Sequence, residues 1–175
     1  LPADAGGEFG ADLVVEQTNS ASGETVVGVA VQNLSLVLGT GNTDFVPVTE
    51  GEGFFLLTPV GIAARASAVI AMDIPNVRLT GGVVSVEINT TSQEVDSNFI
   101  VGGSSPSLLA LEAGPYFRVS LTGAELVLGA DLLTVRADFQ FEQETRDDNS
   151  RLVRFGLNNA SATNGNNGFT NGTGA

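Results

Sequence analysis

The chain of 175 residues contains no histidine, cysteine or tryptophan, and its seven basic residues are all arginine: Arg65, Arg78, Arg118, Arg136, Arg146, Arg151 and Arg154. Each absence removes a class of chemistry. Without histidine, cysteine or lysine there is no Ser-His-Asp, Cys-His or Ser-Lys arrangement, no Schiff-base amine and no zinc site of the usual ligands. A phosphate-cradling loop needs the lysine that reaches the β and γ phosphates, so that motif fails as well. Carboxylate-only catalysis of the glycosidase type remains, as does hard-cation binding through oxygen ligands. The absence of cysteine excludes a disulfide framework and leaves the compartment open.

Charge is also sparse. Charged residues make up 15% of the chain, against about 25% in an ordinary globular domain. Glycine reaches 22 residues, apolar residues 42%, and the net charge is −13. Such a balance disfavours nucleic acid, whose phosphates require a basic patch, and anionic membrane surfaces for the same reason. The longest apolar run, Val60 to Met72, is shorter than a membrane span and contains Arg65, so no membrane-spanning helix is expected. Leu1 to Gly10 reads as the start of a mature or excised fragment rather than as a targeting segment. One domain of this length can bury a sizeable core.

Period-two alternation runs through the chain. Leu13 and Val15 alternate with Val14 and Glu16; Val84, Val86 and Ile88 with Ser85 and Glu87; Phe139 and Phe141 with Gln140 and Glu142. These predict half-buried strands. Further strands are expected at 26–31, 34–38, 54–57, 66–72, 117–121 and 152–157, separated by turn residues at 18–23, 40–43, 102–106 and 147–150. The alanine-rich stretch Gly61 to Met72 favours helix by propensity, but β-branched Val69 and Ile70 and the closing Pro75 make strand the better reading. The fold class is all-β, as a β-sandwich or a β-solenoid-like repeat module.

An internal repeat organises the chain. Ala11-Asp12-Leu13-Val14-Val15-Glu16-Gln17 returns 126 positions later as Ala137-Asp138-Phe139-Gln140-Phe141-Glu142-Gln143. The same offset, without a gap, pairs Val27 with Val153, Asn33 with Asn159 and Ser35 with Ser161. Composition alone makes strands with Gly and Asn turns look alike, but unbroken register through a turn favours a true repeat. A weaker half-repeat matches Leu36-Val37-Leu38-Gly39 with Leu126-Val127-Leu128-Gly129, and Gly53-Phe54-Phe55 with Gly114-Pro115-Tyr116-Phe117. The organisation expected is a lead (1–10), one complete unit (11–136), the opening strands of a second (137–157), and an Asn- and Gly-rich linker or tail (158–175). Stacked units of this kind form rods in which each buries its face against its neighbours.

Several strings resemble the repeats of very large secreted bacterial proteins described as giant adhesin-like surface proteins. They are Leu36 to Gly39, Gly53-Phe54-Phe55-Leu56-Leu57-Thr58-Pro59, Val86-Glu87-Ile88-Asn89-Thr90-Thr91, Ala113-Gly114-Pro115-Tyr116-Phe117-Arg118-Val119 and Ala137 to Gln143. The resemblance spans Ala11 to Leu157 and rests on strand-and-turn patterns. It implies an extracellular or cell-surface setting, often with calcium-dependent neighbours, and carries over no catalytic residue.

Candidate sites are few. Gly39-Thr40-Gly41-Asn42-Thr43-Asp44 resembles a calcium turn of bacterial β-rolls, although Thr43 stands where an aspartate is expected; it reads either as a plain loop or as a calcium site at Asp44. Asp147 and Asp148 read either as a solvated hairpin tip or as calcium ligands. Asp12 with Glu16, and Asp138 with Glu142, share a strand face at i and i+4 and are the only glycosidase-like pairs singled out, but aromatic sugar platforms are scarce, with Tyr116 the single tyrosine. Asn33, Asn89, Asn159 and Asn171 each open an N-glycosylation pattern. Two functions from different classes follow: a structural or adhesive, non-enzymatic segment that joins copies of itself or neighbouring repeats end to end through strand edges, or a calcium-assisted polysaccharide-binding module with glycans as partners.

Overall fold

A computed structural model describes residues 8–19, 23, 25–40, 43–99, 107–129, 132–146, 148–164 and 167–170. The chain is all-β. Its strands are β1 (Glu8–Asn19), β2 (Thr25–Thr40), β3 (Thr43–Thr58), β4 (Gly61–Ile74), β5 (Val77–Asn89), β6 (Val95–Phe99), β7 (Ser107–Leu111), β8 (Tyr116–Leu128), β9 (Leu133–Thr145), β10 (Arg151–Asn164) and β11 (Asn167–Thr170). Eight long strands and the short β11 form one antiparallel sheet in the order β1-β2-β3-β4-β5-β8-β9-β10-β11, and β6 and β7 form a separate hairpin. Each strand of the sheet pairs with the next along the chain, with the hairpin inserted between β5 and β8. The stretch from Gly61 is strand, as Val69 and Ile70 predict. The hairpin was not legible in advance: β6 is the polar string Val95-Asp96-Ser97-Asn98-Phe99, with no alternation to mark it.

Five strands carry one extra residue in mid-ladder, and each extra residue has a positive φ: Asn33 at 52° in β2, Glu50 at 53° in β3, Gly81 at 71° in β5, Gly123 at 67° in β8 and Asn159 at 51° in β10. These are β-bulges of the left-handed type, which bend and twist a strand where they occur. Strands β1, β4 and β9 run through without one. Glycine and asparagine tolerate this conformation best, so Asn159→Val is expected to lower stability by about 1–2 kcal/mol. A urea titration showing no change would contradict that.

Cross-strand partners share a face, so the registers sort the side chains. One face takes Leu13 and Val15; Val27, Val29 and Val31; Phe55 and Leu57; Ile62, Ala64 and Ala66; Val84, Val86 and Ile88; Phe117, Val119 and Leu121; Phe139 and Phe141; and Val153, Phe155 and Leu157. The opposite face takes Ala30, Phe54 and Ala63, and these are buried by Val95, Leu109 and Leu111 of the β6–β7 hairpin, with Val14 and Leu56 packed alongside. The core therefore sits on the more polar face. On the apolar face Leu13, Val15, Phe139 and Phe141 all stand exposed. The reason is that the only covering element among the described residues docks on the other side.

The predicted unit boundary between 136 and 137 falls inside β9, which pairs with β8 on one flank and β10 on the other, so the sheet runs through it unbroken. The predicted tail begins inside β10, which continues to Asn164 and pairs with β11. Backbone pairing at a sheet end needs no apolar side chains, and the remainder of the segment, residues 165, 166 and 171–175, lies outside the described residues.

Candidate functional site

On the hairpin face, one row of directly opposed residues crosses five strands with alternating charge: Arg65 (β4), Glu87 (β5), Arg118 (β8), Glu142 (β9) and Arg154 (β10). Opposite charges facing one another across an antiparallel ladder attract, and side chains in register need little reorganisation to meet. Arg65 Nη2 lies 2.7 Å from Glu87 Oε1, and Arg118 Nη1 lies 2.9 Å from Glu87 Oε2. Arg118 Nε donates to Glu142 Oε2 at 2.7 Å, and Arg154 pairs with Glu142 Oε1. Arg118 also reaches Glu112 Oε2 at 3.1 Å, and Arg154 reaches Glu144 Oε2 at 2.9 Å. The Arg118 guanidinium stacks over the Tyr116 ring, 4.9 Å from its centroid.

A bowl of about 570 Å³ opens over the β8–β10 end of this row, lined by Glu112, Pro115, Tyr116, Arg118, Glu144 and Arg146 among others. Burial of Glu142 opposes its ionisation, but the hydrogen bonds from Arg118 and Arg154 outweigh it and hold the carboxyl below the ordinary glutamate range. Burial, helped by Glu87, pushes the Tyr116 phenol up, and its hydroxyl has no hydrogen-bond partner.

Three of the paired carboxylates, Asp12, Asp138 and Glu142, are committed to other partners. Asp138 Oδ1 accepts the Gly123 backbone N–H at 2.7 Å and its Oδ2 accepts Asn159 Nδ2 at 2.5 Å, which holds it below the usual aspartate range. In β1, Asp12 Oδ2 accepts Asn33 Nδ2 at 2.7 Å. Neither Asp138 nor Glu142 is therefore placed as a proton donor at neutral pH, whereas a glycosidase pair needs one carboxyl kept protonated.

Among the candidate cation ligands, Asp44 lies in β3 opposite Gly39, with its side chain outside the described residues, and Asp147 lies outside them altogether. The described carboxylate, Asp148, accepts the Ser150 backbone N–H at 2.8 Å and so closes its own turn. Among the described residues no group of three or more carboxylates is placed to hold a metal ion.

The glycosylation candidates separate sharply. Asn33 and Asn159 are exposed at equivalent bulges, but each side-chain amide is bonded to an aspartate. Asn89 is wholly buried: its Nδ2 donates to the carbonyls of Gln93 at 2.8 Å and Glu112 at 2.7 Å, and its Oδ1 accepts both the Thr91 N–H and hydroxyl. Asn89 is thus a structural hub at the root of the β6–β7 hairpin and not an accessible acceptor, which corrects the pattern-based expectation. Asn171 lies outside the described residues.

Sequence reasoning missed the arginine row, because opposition across strands depends on register and on the bulges that set it. Its one visible signal is that Arg65, Glu87, Arg118, Glu142 and Arg154 each occupy the polar phase of an alternating strand. Compared with models of protein families, with curated proteins and with solved structures, the chain matches none.

Proposed function

We propose that the chain is a structural, non-enzymatic repeat segment of an extracellular surface protein or filament, in which one sheet continues from unit to unit through its edge strands. The observation that carries this reading is the equivalence of the β1–β2 and β9–β10 hairpins. Shifting the β1–β2 register by the 126-residue repeat reproduces the β9–β10 register: Leu13↔Val31 becomes Phe139↔Leu157, Val15↔Val29 becomes Phe141↔Phe155, and Asn19↔Thr25 becomes Thr145↔Arg151. The bulge recurs at Asn33 and Asn159, with φ of 52° and 51°, and so does its asparagine-to-aspartate hydrogen bond. Composition alone does not produce matching ladders, matching bulges and matching clasps together. Leu36 to Gly39 and Leu126 to Gly129 also both start three residues after a bulge residue, in β2 and β8.

In this reading β1 stands where β9 stands, and β9 is flanked on both sides. The outer edge of β1 is unpaired among the described residues, as is that of β10 before Ser161, where β11 begins its pairing. The eight long strands alternate in direction, so β1 and β10 run oppositely. Head-to-tail addition then forms an antiparallel ladder with the same faces aligned, and such a heterologous contact grows as a filament. The resemblance to the repeats of secreted proteins supports an extracellular setting.

Proline in β1 tests the edge. Successive N–H groups of an edge strand point alternately to its partner and outward, so of Glu16→Pro and Gln17→Pro one removes an outward donor and leaves the sheet intact. The parent chain is expected to grow in scattering mass with concentration, and that variant, recognised by unchanged circular dichroism, is expected to lose the growth. Equal growth in both folded proteins, or none in the parent, would count against edge-to-edge assembly.

A further inference from the structure

The face opposite the hairpin is apolar across the whole width of the sheet and has no cover among the described residues. Of the fourteen large apolar side chains exposed among the described residues, ten lie there between the bulges and one set of turns: Leu13, Val15, Leu57, Ile62, Phe117, Phe139, Phe141, Val153, Phe155 and Leu157. No charged residue interrupts them; Arg151, opposite Thr145, stands at the margin. Two aromatic contacts stiffen the surface, Phe117 with Phe141 and Phe139 with Phe155, at ring-centroid separations of 6.4 and 6.3 Å.

We propose that this face is the interface with a second copy of the chain, so that two single-layered sheets pack face to face as a β-sandwich. The proposal goes beyond edge-to-edge assembly and does not depend on it. Area supports it: eight strands about 4.8 Å apart, each contributing roughly 20 Å of strand on this side of the bulges, present on the order of 700 Å² per copy. Two copies would bury about 1,400 Å², within the range of stable, specific interfaces. An isolated monomer would leave a patch larger than soluble monomers usually expose.

Charge decides between a second copy and other occupants. The chain carries −13, and like-charged copies would normally repel. The paired row from Arg65 to Arg154 and the carboxylates Asp12, Glu16, Glu52, Glu87, Asp138, Glu142 and Glu144 all project from the hairpin face. In a face-to-face pair, with sheets about 10 Å apart, these groups sit on the two outer surfaces. Their separation of roughly 20 Å then exceeds the screening length of about 8 Å at physiological salt. A surface without charge offers no complement to an acidic or basic partner. A bilayer is a poor fit, because the open edges of β1 and β10 would bring unpaired backbone groups into hydrocarbon.

The test uses the full chain carrying whichever β1 proline keeps the sheet, so that edge growth and face pairing are read separately. Sedimentation equilibrium across the micromolar range is expected to give a discrete dimer. On that background Phe141→Lys and Val119→Lys, on the apolar face, should weaken dimerisation by at least about 100-fold with unchanged circular dichroism. Phe141→Leu on the same face and Ser120→Lys on the opposite face should leave it intact. If the lysine variants fail to fold, the parent's dimer band is still checked by crosslinking of a single Phe155→Cys, which the cysteine-free chain permits. A strictly monomeric proline variant would overturn the proposal. So would a dimer insensitive to Phe141→Lys, or flotation of the chain with phosphatidylcholine vesicles that Phe141→Lys abolishes. Loss of edge growth with the dimer retained would sink neither reading; a dimer without edge growth in the parent would remove the edge reading alone.

Discussion

Asn89→Ala is expected to lower stability by about 3–5 kcal/mol, because it strands several buried polar groups at once and each costs roughly 1–3 kcal/mol. Asn89 is fully buried at the end of β5 and uses both halves of its amide. Its nitrogen ties the carbonyl of Gln93, at the start of the hairpin insertion, to that of Glu112, at its end. Its oxygen holds Thr91, itself buried, through the backbone and the hydroxyl. The truncated variant offers none of these contacts, and the hairpin that covers Ala30, Phe54 and Ala63 loses its anchor. Asn89→Asp preserves shape but sets a carboxylate against two carbonyl oxygens, so its loss should be large at neutral pH and shrink in acid as the new carboxyl protonates. Gly114→Ala attacks the same root from the other side, since a Cβ there would lie 2.2 Å from the Asn89 carbonyl oxygen and 2.7 Å from that of Thr91. Both obstacles are backbone, so relief requires the hairpin to shift. Urea midpoints for the three variants would show this, and a midpoint within error of the parent for Asn89→Ala would refute the hub.

Strand existence was legible in the sequence, while the assignment of inside and outside was not. Alternation says that Leu13, Val15, Phe139 and Phe141 share a face; it does not say which face another element will cover. That choice was made by β6 and β7, whose residues give little warning. Bulges were half legible: Gly81 and Gly123 invite a left-handed residue, and Asn33 with Asn159 invite it twice at the repeat spacing, but Glu50 carries no such signal. Comparing positions rather than residue types was informative at one point: Asn33 donates to Asp12 across strands, and 126 residues on Asn159 donates to Asp138. Pattern matching did worst at Asn89, where Asn-Thr-Thr fits a glycosylation motif and, equally, a buried turn built on an amide.

Arg118→Leu is expected to cost about 2–3 kcal/mol, less than the 3–5 kcal/mol of a fully buried broken pair, because the Arg118 side chain keeps 24% of its exposure. Arg118 stands at the centre of the charged row and satisfies Glu87 and Glu142 together. Its loss leaves two negative charges on adjacent-but-one strands, each with one remaining arginine at the row's ends, Arg65 and Arg154. Glu142→Gln should lose less, since a neutral amide still accepts from Arg118. The two variants then differ in acid. The folded-state value of Glu142 lies below its ordinary range, so its stabilising contribution is complete above about pH 4.3, the unfolded value, and disappears as the pH falls through the lower folded value. The stability gap between the parent and Glu142→Gln should accordingly be widest near neutrality and close below about pH 4, the chain's other carboxylates being common to both. Arg118→Leu should follow the same course with a larger gap at neutral pH. Denaturant titrations from pH 7 to pH 3 test this directly: a gap that stays constant as the pH falls would mean that Glu142 is not held ionised by its arginines, and that the row is geometry without coupling.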